Sequence, residues 1–166
     1  MIDVYVDASL SRKNWGCAGV LIAPVAPLSF PTTEFTFGVK PGTNPNDGEM
    51  QAILHGARAL RQILKLVVYA PMHTIIRIKT DSEACCRAMQ SVQGFRADSF
   101  ISLTKSAKLA WDRLRDEQLI SGYVVTKIPR SRNRADLVAR QGRLFYSRMY
   151  QPPCQNRNSR KSSGAS

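Results

Sequence analysis

The sequence predicts an α/β fold on three observations. Residues Ile2–Ser9 alternate, with Ile2, Val4 and Val6 against Asp3, Tyr5 and Asp7, the period of two of a strand with unlike faces. Two more strand-like runs follow across short connections, most simply an antiparallel meander. Further on, an apolar run at 74–80 ends in Asp81-Ser82 and passes directly into a helix. Strand, carboxylate, helix is an α/β step, with that strand parallel to the first.

The elements follow in order. Ser11 to Asn14 is a polar turn. The second strand, 16–22, opens on Gly16-Cys17-Ala18-Gly19, small residues that predict close approach of a neighbouring element. Pro24 and Pro27 interrupt a loop, and the third strand, 33–39, alternates Phe35 and Phe37 with polar neighbours. Pro41 to Asn46 breaks the pattern before a helix at 47–66, whose buried stripe is Ile53, Ala57, Leu60 and Leu64. After the fourth strand, a helix runs through Ala84, Ala88 and Met89, and Gly94 breaks the chain. A long helix starts near Asp98-Ser99 with Phe100, Leu103, Ala107, Trp111 and Leu114 inward. The fifth strand, 123–128, is stopped by Pro129. A last helix starts near Asn133 and carries Asp136, Leu137, Ala139 and Leu144. The order is β-β-β-α-β-α-α-β-α in one domain, 1–150. Residues 151–166 are nearly free of apolar side chains and are expected to form a disordered basic tail.

No apolar run is long enough to cross a bilayer and no secretory signal opens the sequence, so a soluble cytoplasmic monomer without membrane contact is expected. Cys17, Cys85, Cys86 and Cys154 form no C-x-x-C pair or zinc spacing and read as reduced thiols. The net charge of +12 is uneven: from Lys127 to the end, ten basic residues face the single acid Asp136. One-signed clustering points to a polyanion, nucleic acid before membrane, because no amphipathic anchor accompanies it.

Four carboxylates occupy telling places. Asp7 and Asp81 end strands, Glu49 lies near a helix start, and Asp136 lies in the first turn of the last helix. Each has a plain structural role available. Asp7 could begin a turn, Asn46 and Glu49 could form a capping box, Asp81 or Ser82 could cap a helix, and Asp136 could complement a helix dipole.

Taken as an ordered set, the segments resemble type 1 ribonuclease H. They are Val4 to Ser9, Gly16 to Val20, Asn46 to Ala52, Ile78 to Ser82, and Asn133 to Arg140. The resemblance implies a five-stranded mixed sheet, strands one to three antiparallel, flanked by helices. It implies endonucleolytic hydrolysis of the RNA strand of RNA–DNA hybrids, leaving 3′-hydroxyl and 5′-phosphate ends. It also implies that Asp7, Glu49, Asp81 and Asp136 are catalytic and hold two Mg²⁺ ions, with Mn²⁺ as the alternative. All-oxygen ligation suits those ions. Ser9, Asn14, Asn46, Ser82, Arg130 and Arg132 are the hybrid-contact candidates. Double-stranded RNA or DNA junctions are alternative substrates, and a catalytically silent binding module is the alternative of another class.

Three departures stand out. The family's histidine between the fifth strand and the last helix is absent, and the loop reads Pro129-Arg130-Ser131-Arg132. His55 and His73 are read as structural or exposed. Arg130 or Arg132 is expected to hold the phosphate or ease product release, since arginine cannot act as a base at neutral pH. The segment from Ser91 to Asp98 leaves no room for the basic handle of some members. Grip on the hybrid then falls to Lys105, Lys108 and Arg113, or to the tail. Glu83 stands where the family often has an amide.

Overall fold

In a computed structural model, residues 1–25, 30–66, 74–91 and 97–150 are described. His73, the break at Gly94, Cys154 and the tail 151–166 lie outside them. The strands are β1 (Ile2–Ser9), β2 (Gly16–Pro24), β3 (Thr33–Val39), β4 (Ile75–Thr80) and β5 (Gly122–Lys127). The helices are α1 (Pro45–Leu66), α2 (Glu83–Gln90), α3 (Asp98–Asp116) and α4 (Ala135–Met149), with a 3₁₀ turn at Arg130–Arg132. Sheet order is β3-β2-β1-β4-β5. The pairs β1–β2 and β2–β3 are antiparallel, and β1–β4 and β4–β5 are parallel. The expected mixed sheet with an antiparallel meander is the one observed.

Most of the core lies between one sheet face and α1 with α3. Ile2, Val4, Val6, Val20 and Ile22 meet Met50, Ile53, Ala57, Leu60, Phe100, Ala107 and Trp111. Trp111 is fully buried, and its indole N–H donates to Ile53 O at 3.2 Å, so the large ring leaves no orphan donor. The other face is thinner, with Tyr5, Leu21 and Ala23 packed against Val138 of α4.

Three local features go beyond the sequence reading. The polar face of β1 is covered rather than solvated, because β1 is central and α4 lies over it; Asp3 and Asp7 are both buried. Asp3 is paired there with Arg77 at 2.6 Å and Lys79 at 2.7 Å. α1 starts at Pro45, with the Asn46 N–H donating to Asn44 Oδ1 at 2.9 Å, so Asn44 and not Asn46 opens it. In α4 the inward residues are Ala135, Val138, Ala139 and Gly142, while Leu137 and Leu144 are exposed.

Small residues explain the approach of α4. A Cβ on Gly19 would lie 2.5 Å from Ala139 N and 3.0 Å from Ala135 O, and one on Gly142 would strike Cys17 Sγ. Of the small residues expected to admit a neighbour, Gly19 admits the helix that carries Asp136, while Gly16 faces Ser9 O and Leu10 instead.

Candidate active site

β1 and β4 are parallel neighbours, and their register pairs Tyr5 with Lys79. Two residues on, Asp7 and Asp81 stand side by side at the strands' C-terminal ends, where open α/β sheets bind ligands. α1 brings Glu49 over this rim, and its Oε1 accepts from Ala8 N–H at 3.3 Å. That contact replaces the capping-box role available in sequence. Asp7, Glu49 and Asp81 each offer a carboxyl oxygen, all within 4.8 Å of one another.

The crowding shows in the protonation equilibria. Burial, then the charges of Asp81 and Asp136, push Asp7 up to about 7. Burial, then Asp7 and Asp81, push Glu49 up to about 9. Glu49 Oε2 is buried with no hydrogen-bond partner among the described residues. An orphaned carboxylate oxygen among repelling acids, in an all-oxygen donor set, fits a hard divalent cation.

Asp136 lies outside that group of three. It sits in the first turn of α4, as expected, but its carboxylate is paired with Arg130 at 3.3 Å and with Arg140 at 3.0 Å. Arg130 faces the acids, and Asp136, Asp7 and Asp81 all raise its pKa. Arg132 shares the 3₁₀ turn, is exposed, and makes no ion pair among the described residues.

The other candidates make local contacts of their own. Ser9 ends β1, half-buried. Ser82 Oγ accepts from Cys85 N–H at 3.3 Å and caps α2. Asn14 is exposed, its N–H donating to Ser11 Oγ at 3.1 Å. Asn46 is exposed in the first turn of α1. Glu83 is exposed and tied to Lys127 at 2.9 Å rather than aimed at the acids. α2 ends at Gln90 and α3 begins at Asp98.

Sequence reading missed the role of Asn133. It is buried, its Nδ2 donates to Val6 O at 2.9 Å and Asp81 Oδ1 at 3.4 Å, and its Oδ1 accepts from Ala135 N–H at 3.2 Å. One amide thus joins β1, Asp81 and the start of α4. The role of Arg140 as a counter-charge was also missed, although its i,i+4 spacing from Asp136 is a readable signal.

The same architecture recurs in solved structures. The chain is similar to the N-terminal RNase H domain of Rv2228c from Mycobacterium tuberculosis, with a TM-score of 0.64 and 20% identity over 90% of this chain and 98% of that one. It is similar to RNase H1 from the halophilic archaeon Halobacterium salinarum, with 0.63 and 18% over 85% and 96%. LC11-RNase H1, solved with an RNA/DNA hybrid, gives 0.64 and 24% over 87% and 98%. The fold is that of a type 1 ribonuclease H. No protein-family profile and no curated protein sequence matches the chain.

Proposed function

We propose that the chain is a metal-dependent endonuclease that hydrolyses the RNA strand of RNA–DNA hybrids. The observation that carries this reading is the convergence of Asp7, Glu49 and Asp81 within 4.8 Å, with one Glu49 oxygen left unpartnered. The similarity to a chain solved with a hybrid supports the choice of substrate.

Asp7, Glu49 and Asp81, with Asp136 beside them, would hold two Mg²⁺ or Mn²⁺ ions. Bound there, the cations supply Lewis acidity that activates water and stabilises the leaving oxygen. The protein's own groups do the rest. Asn133 fixes Asp81 against β1. Arg130, permanently charged, holds a phosphate oxygen and takes part of the place of the absent histidine. Ser9, Asn14, Asn46, Ser82 and Arg132 line the approach to the acids, with 2′-hydroxyls as the feature that marks the RNA strand. The products are 3′-hydroxyl and 5′-phosphate ends.

One observation favours a silent binding module instead: Asp136 is held between two guanidinium groups. A single experiment separates the readings. Labelled hybrid, duplex RNA and duplex DNA are incubated with the protein and Mg²⁺. Cleavage of the hybrid is expected, and Asp7→Asn should lower it by about a thousandfold, roughly 4 kcal/mol in the barrier, while hybrid binding persists. Equal cleavage by the variant, or cleavage without a divalent ion, would sink the proposal.

A further inference from the structure

α1 and α3 lie side by side and run the same way, tied at both ends. Near their starts Ser99 Oγ donates to Asp47 Oδ2 at 3.0 Å. Near their ends Arg61 pairs with Glu117 through two hydrogen bonds, 2.9 and 2.6 Å. Between the ties the outer surface sinks into an open groove of about 400 Å³. Leu54, Ala57, Leu109 and Ala110 supply its apolar surface, and Arg58, Arg61 and Arg113 supply its charge. Ala57 and Ala110 are too short to fill the seam, and Leu109 is left 53% exposed. Glu117 neutralises Arg61, but no carboxylate of the described residues pairs with Arg58 or Arg113.

We propose that this groove docks a short acidic segment of a partner protein, one carrying an apolar side chain beside its carboxylates. Exposed guanidinium forks match carboxylates in shape as well as charge. The partner's apolar side chain would cover Leu109, surface that water now contacts. A nucleic-acid backbone meets arginines through its phosphates and offers only sugar C–H edges to Leu109. Arg58 lies nine residues beyond Glu49 on α1, roughly 14 Å along the helix, so the groove is separate from the acids at the rim. The chain's own 151–166 segment carries Arg157, Arg160 and Lys161 and no acid, so the arginines repel it. A groove of this size admits only a few side chains, and the contact is weak, transient and salt-sensitive.

The test uses the full chain, labelled with ¹⁵N, titrated with a short peptide alternating Glu and Leu. Amide shifts should saturate, concentrate at 54–61 and 106–113, and weaken with added salt. Arg58→Glu should weaken binding about tenfold or more, and Leu109→Ser severalfold. Both sites are exposed, circular dichroism checks the fold, and hybrid cleavage should be unchanged in both. Equal binding of a Gln and Leu peptide would overturn the charge complementarity, and indifference to Leu109→Ser would overturn the apolar half. Failure to saturate would overturn the docking site outright. Displacement of the peptide by a hybrid would reassign the groove to nucleic-acid grip.

Discussion

Two ionisable groups, His55 half-buried and Arg130 exposed, set the behaviour of this protein at the residue scale. His55 stacks on Phe37 with ring centroids 4.1 Å apart, and its Nδ1 is buried without a partner among the described residues. Burial, then the Arg58 charge, lowers its pKa from 6.5 to about 4. The folded state thus favours neutral imidazole. Its contribution is complete above pH 6.5, is lost as pH falls from there towards 4, and changes no further below. Urea titrations across that window should show up to about 3 kcal/mol of pH-dependent stability that His55→Phe removes. An equal slope in the variant would refute this. The second group is Arg130, whose charge opposes a cation at the rim while it neutralises Asp136. Arg130→Ala should tighten Mn²⁺ binding about fivefold, roughly 1 kcal/mol, in calorimetry, and should slow hybrid turnover; weaker Mn²⁺ binding would argue against the counter-charge role. Asp7, Glu49 and Asp81 were legible because strand ends and a helix start mark them. The hold on Asp136 was not, because Arg130 reaches it through a 3₁₀ turn too short to leave a periodic signal.

At the scale of elements, the five strands and four α-helices of the described residues were all located in the sequence, because burial on one face imposes a period, while the 3₁₀ turn was not. Periodicity failed where an element is nearly two-sided or lightly packed. β1 reads as half-polar yet is covered on both sides. α4 touches the sheet through alanine, valine and glycine, so its larger Leu137 and Leu144 point outward and misdirect the eye. The β2–α4 contact depends on what is missing from Gly19. Gly19→Ala would press a methyl on the backbone of Ala139 and Ala135, which can yield only by moving the helix. The expected cost is about 3 kcal/mol, a fall in Tm of roughly 10 °C. Activity should fall further than stability explains, because Asp136 and Asn133 move with α4. Calorimetry and hybrid cleavage on the same preparation check both parts; an unchanged Tm would show that α4 is not seated as described.

On the scale of the whole molecule, the acids gather at one rim of the sheet while the chain carries an excess of twelve positive charges. Long-range attraction to a polyanion and local repulsion among the acids thus have different sources. Truncation after Tyr150 removes Arg157, Arg160 and Lys161. KM for a hybrid should rise and its log–log salt dependence flatten by up to about three units, with kcat unchanged; an unaltered salt slope would show that the tail makes no phosphate contact. At the opposite end of β1 from Asp7, the Asp3 carboxylate clasps Arg77 and Lys79. Burial alone would raise its pKa, but those hydrogen bonds and charges bring it below the usual value. Sliding β4 by two positions would preserve which side chains face inward and would still tear this clasp open. The bond network at the floor of the sheet therefore acts as an alignment key, ensuring that two acidic tips about 13 Å away finish abreast instead of staggered.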